Sequence, residues 1–320
     1  MYVIMPAKFQ NVWDIWEENR DTFISENCVI LNSSPKFTRK YERCSIMSND
    51  KKGWLMEDVR KVIFAGIQDK RFLAEITVQR DGVLSGNQAA LEKAFQLGIS
   101  LNLHKGEGDF VEKGEVIAEV EACPMGIAQA EEVIMGAMAK ASGIATAAHK
   151  AVALAGENME IVAGAWKKMP PEMKHIVRQA VTAGGASFRI SHKPMVYLDK
   201  NFISMVGGIQ KTLETVSHLT EFDKVVQIRE NAPIACQTKE ALAHGCTIFM
   251  VDTGEISDYR ICLETLKEAG VRDKVKVAFS GEILMADIPG LKGEDIDLLC
   301  IGKEIIDAPM LDMRFDMIKE

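Results

Sequence analysis

Six short runs in the second half of the chain barely alternate between apolar and polar residues: MEIVAG, MVYLD, KVVQIRE, TIFMVD, VKVAFS and LLCIG. A strand with one wet face alternates; a Val/Ile-rich run that does not is a strand buried on both faces, as in a parallel sheet. Each run is followed by a helical segment, and a spacing of roughly 20–35 residues suits βαβ units. The pattern predicts a parallel α/β barrel, complete or short of eight strands. A doubly wound open sheet uses the same local pattern and is the alternative.

Upstream, AQAEEVIMGAMAKASGIATAAHKAVALAG reads as one long helix with Ile134, Met138, Ala141 and Ala145 on one face and Gly156 as its stop. Before it come a strand (FLAEITVQ), a turn (RDG), a helix (GNQAALEKAFQLG), a strand (ISLNLH) and the segment GEGDFVEKGEVIAEVEA. In that segment glycines separate short strands, which predicts a hairpin-like strand pair. Lipoyl and biotinyl carrier domains have similar segments, but a carrier needs an exposed lysine at the tip and no MKM-type tip is present. Residues 1–55 form an N-terminal extension, in which NVWDIWEENRDTF has helical spacing and CVILN reads as a strand.

Composition narrows the function classes. The net charge of −8 over 320 residues disfavours a nucleic-acid surface, which needs a concentrated basic face. A small phosphorylated ligand is compatible, because backbone N–H groups hold phosphate whatever the global charge. No apolar run reaches the roughly 18–20 residues of a membrane span, and Pro6 and charges interrupt the N-terminus, so neither a membrane nor a signal peptide is expected. Seven cysteines (Cys28, Cys44, Cys123, Cys236, Cys246, Cys262, Cys300) without CxxC spacing predict reduced, mostly buried thiols and a cytoplasmic protein.

In such barrels, functional groups gather at the C-terminal ends of the strands. Those ends carry Trp166, Lys167 and Lys168; Asp199, Lys200 and Asn201; Glu230; Asp252 and Thr253; Ser280 and Gly281; and Gly302. Glycines after the last two strands would let backbone amides approach a phosphate, although each can also simply make a turn. Glu230 and Asp252 on neighbouring strands are candidate Mg²⁺ ligands or helix caps. For Asp252 the cap role is disfavoured, because Ser257 is better placed as N-cap of the helix that follows.

Together the motifs resemble one family. AEEVIMGAMAKASGIAT is similar to the A-E-R-x-x-L-N…L-S-G-I-A-T segment of the quinolinate phosphoribosyltransferases (nicotinate-nucleotide pyrophosphorylases). RDGVLSG resembles their E-G-V-x-A-G turn, and GDFVEKGEVIAEVEA their G-D-x-V-x-x-G run. AWKKMPPEMKHIVRQAVTAGG resembles T-R-K-T-x-P-G…K-x-A-V-x-x-G-G, TIFMVDTGEI the L-D-N strand, and AFSGEI the A-S-G-G-I turn. The likeness runs in order from about residue 60 to the end.

The resemblance implies an α/β sandwich at 56–135, a partial barrel at 136–307, and a tail at 308–320 that returns to the sandwich. It implies homodimers or higher homo-oligomers whose active sites borrow from the partner's sandwich. It also implies Mg²⁺ as cofactor and transfer of ribose 5-phosphate from phosphoribosyl pyrophosphate to quinolinate, with loss of CO₂. Carried over, Lys167 matches the lysine of T-R-K-T, Arg189 the arginine of N-H-R, and Asp252 the acid of L-D-N. Glu230 falls within about one residue of the family's other metal-associated glutamate, and Ser280, Gly281 and Gly302 match the 5′-phosphate backbone.

The departures are as clear. Glu132 replaces the arginine of A-E-R, Trp166 that of T-R-K, and Phe188 the histidine of N-H-R. Lysine and aspartate of L-I-K-D-N-H are swapped as Asp199 and Lys200, Phe202 replaces the histidine, and Ile305 and Ile306 replace a late Thr-His. Each buried charge-assisted bond lost costs on the order of 1.5–3 kcal/mol, which counts against the dicarboxylate quinolinate. Lys168, His192, Lys193 and Lys200 are candidate compensating cations. Three readings follow: a transferase using quinolinate or a less charged acid such as nicotinate, a nucleotide- or phosphate-binding relative without transfer, or another reaction on the same scaffold.

Overall fold

The computed structural model describes residues 58–157 and 159–318; the expected N-terminal extension lies outside them. Two bodies of secondary structure share one long helix. The first contains β1 (Phe72–Val78), β2 (Gly82–Val83), α1 (Asn87–Leu97), β3 (Ser100–Leu103), β4 (Phe110–Val111) and β5 (Val116–Ala122). An antiparallel sheet runs β12-β1-β5-β3, where β12 is the C-terminal Met313–Met317. Strands β4 and β5 do not pair with each other as a hairpin. β4 joins β2 in a separate two-stranded sheet, while β5 lies between β1 and β3. The turn at Gly114, with φ 88°, carries the chain from one sheet to the other.

Helix α2, Pro124–Ala155, is the shared element, and the boundary expected at 135/136 falls inside it. Its first half buries Ala130, Ile134 and Met138 against the sandwich. Its second half buries Ala141, Ile144, Ala148 and Ala151 against the barrel. Gly156 stops it, with its N–H bonded back to the Val152 carbonyl. The S-G-I-A-T segment turns out to join elements. Ser142 Oγ accepts from the Ser85 amide (3.0 Å) and donates to the Ser85 carbonyl (3.1 Å), and Thr146 Oγ1 accepts from the Val83 amide (2.9 Å). A Cβ on Gly143 would stand 2.2 Å from the Pro309 carbonyl oxygen, so only glycine admits the returning C-terminal segment there.

The second body is a six-stranded parallel sheet: β6 (Glu160–Val162), β7 (Met195–Leu198), β8 (Asp223–Ile228), β9 (Ile248–Asp252), β10 (Lys276–Ser280) and β11 (Leu298–Cys300). Neighbour order is β6-β11-β10-β9-β8-β7. From β7 to β11 space follows sequence, and β6 returns beside the last strand. An open doubly wound sheet would reverse direction from a switch point instead. Ser187 bridges to Val162 beyond β6, and Ile190 joins Val162, Val225, Ile248, Met250, Ala278 and Leu298 in one interior cluster. The result is a partial barrel with a packed centre. Residues of opposite parity, including Ile161, Val226, Phe249, Val277 and Leu299, pack outward on α2, α3 (Lys174–Ala183), α6 (Ile234–Ala243) and α7 (Ile256–Glu268).

Candidate active site

Strand parity selects the residues at the barrel mouth. Tyr197, Met250, Ala278 and Cys300 face the interior, so the next inward positions toward the C-terminal ends are Asp199, Asp252, Ser280 and Gly302. On β8, Val225 faces inward; Gln227 and then Arg229 continue that row. Asp252 and Ser280 lie side by side in register.

Lys167 closes over this row. It sits in the 3₁₀ turn Gly164–Lys168 after β6, with Nζ 4.7 Å from the centroid of the Tyr197 ring. Burial pushes the Tyr197 phenol far up, with Cys300, Asp252 and Asp199 adding in the same direction. Burial pushes the Cys300 thiol up to about 12, reinforced by Asp252 and opposed by Lys167. Tyr197 and Cys300 are therefore neutral at physiological pH, and the charged groups around them are Lys167, Asp252, Asp199 and Arg229.

The acidic pair expected on β8 and β9 takes a different form. Glu230 is one residue out of the inward row, with a side chain 66% exposed. Arg229 holds that position instead, its Nη1 3.0 Å from Asp252 Oδ2 and its Nη2 3.5 Å from Glu230 Oε1. Asp252 Oδ2 also accepts from Gln227 Nε2. A guanidinium thus lies between the two carboxylates, and among the described residues no three His, Cys, Asp or Glu side chains converge on a cation position. Glu230 and Asp252 do not fit a shared Mg²⁺ seat. Asp252 is no helix cap either, but Ser257 is not the cap of α7; Glu255 occupies that position without a side-chain bond.

Trp166 and Phe188 pack edge to face, centroids 6.2 Å apart, and Trp166 Nε1 donates to the Phe188 carbonyl (2.8 Å). Sequence reasoning missed a further member of this group. The Arg178 guanidinium lies 5.0 Å from the Trp166 ring and 5.8 Å from that of Phe188. Desolvation lowers the Arg178 pKa, and repulsion from Arg189 lowers it further. Arg189 Nη2 donates to the Lys193 carbonyl (3.2 Å), while its Nε is buried without a protein partner. Two guanidinium groups and two aromatic rings are therefore gathered, with one donor unsatisfied.

Other expected residues fall as follows. Lys200 is exposed at the start of α4 (Lys200–Val206); its amide donates to Gln227 Oε1 (2.8 Å), and Asp199 caps that helix through the amides of Asn201 and Phe202. Glu132 lies on the exposed side of α2. Gly281, with φ 113°, packs directly on Gly254, whose amide donates to the Ser280 carbonyl (2.9 Å). Gly302 precedes the short helix α9 (Lys303–Ile306), and a Cβ there would meet that of Ala165 at 3.2 Å. Ile305 and Ile306 are buried core residues rather than mouth residues. His192 reaches Glu160 at the start of β6 (3.3 Å), away from the strand ends. Of the thiols, Cys246 and Cys262 are buried but Cys236 is exposed, so burial is less general than expected; Cys28 and Cys44 lie outside the described residues. Surface hollows lined by Lys105, Phe110 and Lys113, and by Arg272, Asp273 and Asp297, lie on the β4–β5 turn and at the N-terminal side of β10 and β11.

Two family models match the chain in succession: the quinolinate phosphoribosyl transferase N-terminal domain over residues 58–142 and its C-terminal domain over 144–316. The chain belongs to the quinolinate phosphoribosyltransferase family. A probable nicotinate-nucleotide pyrophosphorylase [carboxylating] of Methanothermobacter thermautotrophicus is 29% identical over 77% of this chain and 88% of its own length. The corresponding protein of Bacillus subtilis is 26% identical over 76% and 83%. Among solved structures, the nicotinate-nucleotide pyrophosphorylase of Francisella tularensis superposes with a TM-score of 0.68 at 21% identity, covering 81% of this chain and 94% of that one. The expected α/β class and barrel agree with this family fold. Among the described residues, no helix is long and apolar enough to cross a membrane.

Proposed function

We propose that this member of the quinolinate phosphoribosyltransferase family transfers ribose 5-phosphate from phosphoribosyl pyrophosphate to a pyridine carboxylate, in pyridine nucleotide synthesis. The observation that carries the reading is Lys167, held over the Tyr197 ring at the mouth of a family barrel, with Asp252 acting on the same buried Cys300. In the reaction the C1′–O bond breaks and its electron pair leaves with pyrophosphate, while the ring-nitrogen lone pair forms the N–C1′ bond. With quinolinate, the carboxyl at C2 then departs as CO₂ and that carbon takes a proton.

Lys167 supplies fixed positive charge where charge develops on the leaving group, which is where preorganised electrostatics accelerates a reaction. Arg178 and Arg189 provide forked donors for a carboxylate, and the rings of Trp166 and Phe188 provide a face for an aromatic acid. Two guanidinium forks beside two rings match the two carboxylates of quinolinate, and Arg178 offsets part of the cationic charge that the motif departures remove. Ser280, Gly281 and Gly302 are the proposed seat of the 5′-phosphate. Because Arg229 separates Glu230 from Asp252, no step is assigned to a metal held by that pair. A homodimer remains part of the proposal, since the family resemblance implies completion of each site by a partner.

The test is pyrophosphate release from phosphoribosyl pyrophosphate with nicotinate and quinolinate, paired with mass detection of the mononucleotide. Acid-dependent release that falls by about 10²-fold or more in Lys167→Met supports the reading. Binding of nicotinate mononucleotide with no release from either acid would overturn it in favour of a ligand-binding relative.

A further inference from the structure

At the end of β8 the chain holds a guanidinium in place, and it does so from two directions. The backbone of Arg229 is gripped by Gln237, a buried residue of α6. Gln237 Nε2 donates to the Arg229 carbonyl (2.5 Å) and the Ala232 carbonyl (2.7 Å), and its Oε1 accepts from the Arg229 amide (3.4 Å). The head is fixed by Asp252, whose side chain is 19% exposed, and Asp252 is in turn oriented by Gln227. Arg229 itself stays 30% exposed, so its guanidinium, with Nη2 3.5 Å from the exposed Glu230 carboxylate, is open to a ligand. Cost is paid before any ligand arrives, which is what preorganisation means for an anion site.

The neighbouring strand changes in the complementary sense. The inward position after β7 is Asp199, with Lys200 displaced into the first turn of α4; after β8 it is Arg229, with Glu230 displaced outward. Negative charge at one strand end is thereby matched by positive charge at the next. A guanidinium is permanently charged and offers a planar fork suited to phosphate oxygens.

Resting on the transferase reading above, we propose that Arg229 is a built-in cation for the diphosphate group, so that the barrel mouth captures diphosphate without a divalent metal. Asp252 orients this cation, and Glu230 is a surface residue rather than a ligand.

The test uses the full chain and inorganic pyrophosphate as the probe, with binding followed by titration calorimetry in EDTA and again in excess Mg²⁺. The expected result is equal affinity in the two conditions, with a loss of about tenfold or more in Arg229→Gln and a smaller loss in Arg229→Lys. Binding that appears only with Mg²⁺ overturns the inference and leaves the transferase reading standing. Binding in EDTA that is indifferent to Arg229→Gln overturns the role of Arg229. No binding in either condition removes both the inference and the diphosphate site it rests on. The comparison of EDTA with Mg²⁺ needs only the wild-type protein, so it decides even if a variant fails to fold.

Discussion

Gly254 and Gly281, on the loops after β9 and β10, are in contact through their backbones. A Cβ on Gly281 would stand 2.1 Å from the Gly254 nitrogen, and one on Gly254 would stand 2.4 Å from the Gly281 oxygen. Both have positive φ, 78° and 113°, so a side chain is opposed by conformation as well as by space. Gly281→Ala therefore separates the two loops and deforms the proposed phosphate seat. The expected strain is of order 1–3 kcal/mol, read as a lowered melting temperature, with a larger proportional rise in KM for phosphoribosyl pyrophosphate. An unchanged KM would remove Gly281 from the seat.

Arg189 separates function from stability. Its Nε is buried and unpartnered, so replacing it by methionine removes an unsatisfied donor together with one solvent-accessible bond, from Nη2 to the Lys193 carbonyl. Arg189→Met is expected to keep or raise the melting temperature while weakening acceptor binding by on the order of 1.5–3 kcal/mol. Parallel calorimetry and acceptor titration check both halves.

Gln237 gives the opposite pattern. It is 6% exposed, and Gln237→Leu would leave the carbonyls of Arg229 and Ala232 without their donor. A loss of about 1–3 kcal/mol in urea unfolding is expected. A variant as stable as the wild type would show that water replaces the glutamine.

The buried thiols set an alkaline limit. Burial pushes Cys262 up to about 11 and raises Cys246 as well. In the unfolded chain a thiol ionises near about pH 8.5. Between that pH and the folded value the native state binds more protons, so stability falls as pH rises. The slope is at most about 1.4 kcal/mol per pH unit for each thiol. Melting temperatures measured across this range should fall less steeply in Cys262→Ala; an identical slope would contradict the assignment.

The strand ends were legible because glycine, lysine and acidic residues interrupt Val/Ile runs sharply, and those interruptions are where the βα loops begin. Which residue of a run faces inward was not legible. A strand buried on both faces has no polar–apolar alternation to fix its phase, and so the sequence points to Glu230 at this strand end, whereas the barrel places Arg229 inward. The GDFVEKGEVIAEVEA segment misled for a related reason: turn glycines mark a reversal but not which sheet each strand joins. The S-G-I-A-T residues were legible as a family motif, while their task of holding the β2–α1 turn and the returning C-terminal segment needed the contacts of Ser142, Gly143 and Thr146. Arg178 carried no local signal. Its approach to Trp166 depends on how α3 packs beside the β6 loop.

A structure of the protein bound to phosphoribosyl pyrophosphate and quinolinate would test the assignment of the site most directly. The diphosphate should contact Arg229 and Lys167, the 5′-phosphate should lie on the amides around Gly281 and Gly302, and the pyridine should rest against Trp166 with a carboxylate toward Arg189. Ligands bound on the sandwich, or at the N-terminal side of the barrel strands, would contradict the account.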